Sequence, residues 1–183
     1  MAHNDLTTNL VKELERYERI NQILKTGEFH TYIEEKCYEV LNKITENSLR
    51  ADPDEKYSHT YRKNHKVKAT DTEVTISNET MVDVNDLHVK HPENYPSGFD
   101  LAKAVEYGTG IKGASSGVGE YAKQDGWEYD IHGHGLKGWF YVDDSGQLHW
   151  TQGMNGNLIF EKAKNEIEEN ISNWIDEYIE KNI

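Results

Sequence analysis

Three histidines carry the most overt chemical potential in this chain. His132 and His134 flank Gly133, and His149 follows beyond a turn signal at Asp143–Gly146. With Asp130 or Asp143 beside them, three imidazoles could ligate zinc and leave one position open for water, the arrangement of a metal-dependent hydrolase. The surrounding glycines argue against it, because a catalytic metal needs rigidly held ligands. Histidines of a GHG turn that hydrogen-bond locally are the plainer reading.

A second constellation pairs carboxylates with aromatics. Glu106, Glu128 and Asp130 offer the acid and base of a glycosidase, and Trp127, Trp139 and Trp150 offer a floor on which sugars stack. Tryptophans one strand apart equally serve to pack a hairpin onto a helix, and that reading is preferred. Gly108-x-Gly110-x-x-Gly113 has the spacing of a dinucleotide fingerprint, but it follows a predicted helix where the fingerprint needs a strand. The single cysteine, Cys37, sits in a helical pattern and reads as a buried, inert thiol; alone it can form no intrachain disulfide or Cys-rich zinc site. No GxSxG, P-loop or HExxH is present. The residues therefore assemble no complete active site: no catalytic residue, metal or cofactor is assigned, and a non-enzymatic protein is expected.

The elements that must position these residues are unevenly built. Thirteen of the fourteen glycines and three of the four tryptophans lie between Gly98 and Gly156. Glycines at this density allow close backbone approach, and the aromatics supply bulk to bury. Before this region, Leu10, Leu14, Tyr17, Ile20 and Leu24 recur at helical spacing, with Asn4 or Asp5 as a candidate N-cap. Gly27 interrupts the pattern, and Phe29, Ile33, Cys37, Val40, Leu41 and Ile44 resume it until Asp52-Pro53. This stripe covers either the chain's own sheet or a neighbouring subunit. Val67 to Ile76 alternates as one strand, or as two short strands about a turn at Asp71. Residues 79–98 read as an ordered, irregular loop, Phe99–Tyr107 as a short helix closed by Gly108, and Thr109–Gln124 as a mobile Gly/Ser segment. Trp127–Tyr129, Gly138–Val142 and Gln147–Thr151 read as strands. Phe160, Ala163, Ile167, Ile171, Trp174 and Tyr178 mark a final amphipathic helix. The fold class predicted is α+β in a single domain: a helical segment over 1–52, sheet and loops over 56–157, and a C-terminal helix over 158–183 packed on the sheet.

Composition narrows the function further. Hydrophobic residues make up 36% of the 183 and charged ones 29%, which implies a small core and much solvated or partner-covered surface. A net charge of −13 provides no positive field to grip phosphates. The one basic island, with Arg62, Lys63 and Lys66 at its centre, suits either an acidic neighbouring surface or solvated strand-edge lysines. MAHNDLTTN lacks a basic start and an apolar run, so no signal peptide is expected, and no apolar stretch is long enough to span a bilayer.

Three stretches taken in order resemble a known family: TYRKNHKVK…EVTISNE at 60–79, VEYGTG at 105–110, and WEYDIHGHGLKGWFYVDDSGQLHWTQG at 127–153, ahead of a terminal amphipathic helix. This resembles the HK97 gp10-like proteins of tailed phages and prophages of Gram-positive bacteria, over roughly residues 56–183. The resemblance implies a structural subunit made in the host cytoplasm and carried in the virion tail or neck. It would act in tail completion and head–tail joining, as a ring, commonly six-fold, around the DNA channel. Its partners would be copies of itself and other neck and tail proteins such as the connector or stopper, tail terminator and tail tube. DNA would pass without specific binding, and no membrane would be involved. Two departures stand out: residues 79–98 intervene before VEYG, adding a contact loop, and Asn157-Leu158-Ile159-Phe160 replaces a Pro-Phe pair before the last helix. The contact surface implied comprises Val105, Glu106, Tyr107, Gly108, Gly110, Trp127, Tyr129, His134, Lys137, Trp139 and Trp150, with Arg62, Lys63 and Lys66 as a basic contact patch. The alternatives to this reading are a zinc-dependent hydrolase using His132, His134 and His149, or a cell-wall carbohydrate-binding module.

Overall fold

A computed structural model describes residues 3–49, 60–83, 98–129, 137–142 and 146–183, with backbone only for 3–10 and 141–142. The fold is α+β. Helix α1 spans His3–Ile23 and α2 spans Gly27–Leu49. After a helical turn at 60–63 come strands β1 (Lys66–Ala69), β2 (Val74–Ser77), β3 (Met81–Val82) and β4 (Phe99–Asp100). Short helices α3 (Leu101–Tyr107), α4 (Gly110–Ser115) and α5 (Gly119–Gln124) lead to β5 (Trp139–Val142), β6 (Leu148–Thr151) and the long α6 (Ile159–Asn182). Each strand pairs antiparallel with its neighbour in sequence, giving three two-stranded ribbons among the described residues.

The core lies where α2 and α6 pack antiparallel. Phe29, Ile33, Cys37, Val40, Leu41 and Ile44 of α2 are buried against Ile159, Ala163 and Ile167 of α6. Each fully buried Leu or Ile contributes about 1.5–3 kcal/mol, so this stripe dominates the stability. Thr45 can be buried among them because its hydroxyl donates back to the Leu41 carbonyl at 2.7 Å. Polar contacts at the edge fix the alignment: Lys43 meets Glu166 at 2.7 Å, and the Tyr32 hydroxyl donates to Glu177 at 3.3 Å. The β1–β2 ribbon lays Val67, Ala69, Val74 and Ile76 against this helix pair and turns Lys66 and Lys68 outward.

Several sequence expectations need correction. Asn4 and Asp5 do not cap α1, which is already helical at His3. Of the two readings of 67–76, the two-strand one with its turn at Asp71 holds: β1 and β2 flank Thr70–Glu73, closed by Thr70 N–H donating to the Glu73 carbonyl at 2.9 Å. Phe99–Asp100 pairs with Met81–Val82, and Asp100 instead caps α3, its carboxylate accepting from Lys103 N–H at 2.9 Å. Residues 109–124 form two helices, because backbone bonds from Gly113 to Thr109 and from Ala122 to Val118 close their turns. Trp127–Tyr129 is not a strand; the Trp127 backbone N–H donates to the Ala122 carbonyl and the Tyr129 carbonyl accepts from Gly110 N–H instead of joining a ladder. Of the 79–98 loop, residues 84–97 lie outside the described residues, as do 143–145 of the β5–β6 turn.

Candidate functional site

The VEYGTG element is a structural joint. Val105, Glu106, Gly108 and Gly110 are buried. They therefore cannot form the contact surface that the resemblance implied within this chain; they are covered by the chain's own C-terminal third. Thr109 and Met154 exchange backbone hydrogen bonds at 2.9 and 3.2 Å, and Lys112 N–H donates to Gln152 at 3.2 Å. Two glycines make this approach possible. A Cβ at Gly108 would lie 2.4 Å from the Met154 carbonyl oxygen, and one at Gly153 only 1.9 Å from that of Thr109; both have positive φ. At Gly110 the obstacles are the Gln152 carbonyl oxygen and the Trp139 ring, each 2.7 Å from where a Cβ would stand.

Glu106 ties this joint to α6. Its Oε1 accepts from the Tyr61 hydroxyl at 2.8 Å, and its Oε2 accepts from Phe160 N–H at 3.2 Å. Its own carbonyl accepts from Asn157 N–H at 2.9 Å and Leu158 N–H at 3.0 Å. The carboxylate thus serves as an N-terminal cap for α6 supplied from a distant part of the chain, where Leu158, at φ 47°, offers no side-chain cap. Burial pushes the Glu106 pKa up to about 7, against the lowering effect of its hydrogen bonds and of Lys162. The same burial, with the Glu106 charge adding to it, raises the Tyr61 hydroxyl far above its ordinary value. Glu106 makes no pair with Glu128, which is exposed, and Asp130 lies outside the described residues. The glycosidase pairing is not assembled among the described residues.

His65 packs edge-on against Tyr61, with ring centroids 5.0 Å apart. Burial, with Arg62 nearby, lowers its pKa to about 4, so it is neutral at pH 7. Sequence reasoning placed it in a basic island and missed this role; the only signal was a histidine four residues after Tyr61. Burial likewise pushes the Cys37 thiol up to about 11, as expected of an inert cysteine.

The remaining site candidates scatter. Tyr107 is half-buried and donates its hydroxyl to Asp125; Trp127 is half-buried and donates its indole N–H to the Gly108 carbonyl at 2.9 Å. Tyr129 covers Gly113, and its buried hydroxyl has no partner among the described residues. Lys137 is exposed. His149 sits on β6 opposite Tyr141, whereas His132 and His134 lie outside the described residues. Among the described residues no three His, Cys, Asp or Glu side chains come together as metal ligands. The basic patch is divided: Arg62 meets Glu46 at 3.6 Å, Lys66 meets Glu79 at 3.3 Å, and Lys63 is exposed on the helical turn before β1.

Two faces are apolar and open. On the β5–β6 ribbon, Phe140 is 62% exposed, Leu148 61% and Trp150 52%; Phe140 and Trp150 are register partners with rings 4.8 Å apart. Trp150 was anticipated, while Phe140 and Leu148 were not, although pairing WFYV with LHWT places them on one face. On α1, Val11 is 48% exposed, Leu14 54% and Tyr17 66%. Among the described residues no helix is long and apolar enough to cross a membrane. No family model, curated protein or solved structure matches this chain.

Proposed function

We propose that this chain is a structural subunit of a tailed phage, a tail-completion or neck protein that assembles as a ring around the DNA channel. The observation that carries the reading is the pair of open apolar faces on different elements, one on α1 and one on the β5–β6 ribbon. Exposed apolar patches rimmed by polar residues mark contact sites. Two different patches on one chain suit head-to-tail association, which closes into rings when the rotation allows it. The family resemblance of the VEYGTG and GHG-x-KGW segments supplies the biological setting. The net charge of −13 suits a channel wall along which DNA slides without sticking. The buried joint of Glu106, Gly108 and Gly153 gives such a subunit a rigid frame on which the ribbon is mounted.

Electron microscopy of the purified protein, alone and mixed with phage tails, tests this. Rings, or density added at the head-proximal end of tails, are the expected result. A protein that remains monomeric in both samples refutes it. The carbohydrate-binding alternative draws on the same exposed Phe140 and Trp150. Their ring planes meet at 64°, a poorer platform for a flat sugar than coplanar faces. Quenching of tryptophan fluorescence by cell-wall glycans would favour that alternative.

A further inference from the structure

The stretch that closes the joint contains the chain's only Asn-Gly pair, Asn155-Gly156. An asparagine before glycine is prone to lose its amide, because glycine has no Cβ to shield the main-chain nitrogen that attacks it. The joint leaves room for nothing larger at 156: a Cβ there would lie 2.6 Å from Val118 Cγ2 and 2.7 Å from the Tyr107 carbonyl carbon and oxygen. Asn155 itself is exposed, so water reaches its side chain. The residue that the packing demands is thus the one that protects its neighbour least.

The closed joint holds the pair away from reaction. Cyclisation needs the Gly156 nitrogen on the Asn155 side-chain carbon, with that nitrogen and Cβ eclipsed about the Cα–C bond. Asn155 instead bridges antiparallel to Gly108, which keeps its backbone extended and these two atoms apart. The nitrogen is also engaged: Gly156 N–H donates to Ser116 Oγ at 3.3 Å, and the Ser116 hydroxyl donates to the Gly113 carbonyl at 2.6 Å. Beyond the pair, Asn157 N–H donates to the Val105 and Glu106 carbonyls at 3.1 and 2.9 Å. Asn155 cannot turn into the reactive geometry while these bonds stand.

We propose that Asn155 is a modification site gated by the joint, where spontaneous deamidation makes opening irreversible. In the open joint, base removes the Gly156 amide proton and the nitrogen bonds to the Asn155 side-chain carbon. The bond from that carbon to Nδ2 breaks, and the amide nitrogen takes a proton from solvent and leaves as ammonia. Water then adds to either carbonyl of the succinimide and breaks its bond to the Gly156 nitrogen. Hydrolysis at the side-chain carbonyl gives aspartate; hydrolysis at the main-chain carbonyl gives isoaspartate. In isoaspartate the main chain runs through Cβ and is one atom longer. The fit has no slack for that atom, since a Cβ at Gly108 would already lie 2.5 Å from the Gly156 nitrogen. The lengthened chain cannot restore the Gly108 bridge, the Ser116 bond and the Asn157 bonds together. β6 ends at Thr151 and α6 begins at Ile159, so their loss uncouples the aromatic ribbon from the helix pair.

Peptide mass spectrometry of the full-length protein, incubated at mildly alkaline pH with and without urea, tests this. Trypsin releases Asn155 in the peptide 138–162, and an isoaspartyl methyltransferase assay reads isoaspartate. In urea Asn155 should convert. Without urea the rate should be roughly tenfold or more lower, since only the open fraction reacts. Ser116→Ala removes the bond on the attacking nitrogen and should speed native conversion roughly fivefold, with no change in urea. Asn155→Gln should suppress conversion and melt like the wild type. Chains enriched in isoaspartate should exchange the amide protons of Asn157 and Leu158 faster than unconverted chains. Equal rates with and without urea, or a native Ser116→Ala rate no faster than the wild type, overturn the gating. An Asn155 that does not convert in urea overturns the site. Isoaspartate chains with unchanged exchange overturn the irreversible opening.

Discussion

Replacing Glu106 by glutamine isolates the energetics of the joint. Glu106 is 6% exposed, and its pKa rises from the ordinary 4.5 to about 7. The folded state therefore binds this proton more tightly than the unfolded chain. Its contribution to stability is full below pH 4.5 and is lost as pH rises through 7. At about 1.4 kcal/mol per pKa unit the loss is about 3 kcal/mol. The N-terminus of α6 opposes this by favouring the anion, but such dipole effects reach only about 2 kcal/mol, so burial prevails. The wild type alone would conceal the effect, because His65 titrates with the opposite sign. Its pKa falls from 6.5 to about 4, so its contribution is full above pH 6.5 and is lost as pH falls through 4, again by about 3 kcal/mol. The two slopes nearly cancel between pH 4.5 and 6.5. The substituted side-chain amide would keep an oxygen for the Phe160 N–H and offer its own N–H to the Tyr61 oxygen, so the fold should survive. Urea unfolding of wild type and Glu106→Gln at half-unit steps from pH 4.5 to 8 gives the difference directly. The variant should gain on the wild type by about 3 kcal/mol across that range, most of it between pH 5 and 7. A flat difference would refute a raised pKa at Glu106. A difference of opposite slope would mean that the helix terminus, not burial, governs the site.

Other outcomes follow from the same geometry. Gly153→Ala forces a methyl to within 1.9 Å of the Thr109 carbonyl and should cost roughly 3 kcal/mol or more, whereas Gly117→Ala, open in space at φ +81°, should cost only about 1–2 kcal/mol of backbone strain; thermal melts compare them. Tyr61→Phe removes a hydrogen bond to a buried carboxylate and should cost about 1–3 kcal/mol, and the Glu106 pKa, read by the pH series above, should climb further. Leu41→Ala, at a fully buried core position, should cost about 2–5 kcal/mol in urea unfolding. Cys37 should resist a thiol-specific reagent in the native state and react on unfolding; rapid native labelling would contradict its burial.

The sequence by itself determined the local elements, because their signals are local. The 3.6-residue stripes of Phe29–Ile44 and Phe160–Tyr178 specified α2 and α6, and period-two alternation with turn residues specified the β1–β2 and β5–β6 ribbons. Gly108 bounded α3 at its C-terminal end, whereas the pattern places its start two residues early, at Phe99. Only the tertiary structure decided what VEYGTG does. Its glycines looked like loop formers on a contact surface, yet what they permit is backbone contact with residues 152–156, over forty positions away. Glu106 gave no sign of capping a helix that begins at Ile159, since cap signatures in sequence are sought within a few residues of the helix. The open faces were equally illegible: an amphipathic stripe states that a helix has something to cover, and it states nothing about whether the same chain can reach it. That depends on the direction of the turn at Leu24–Thr26, which buries the α2 stripe and leaves Leu14 and Tyr17 in water.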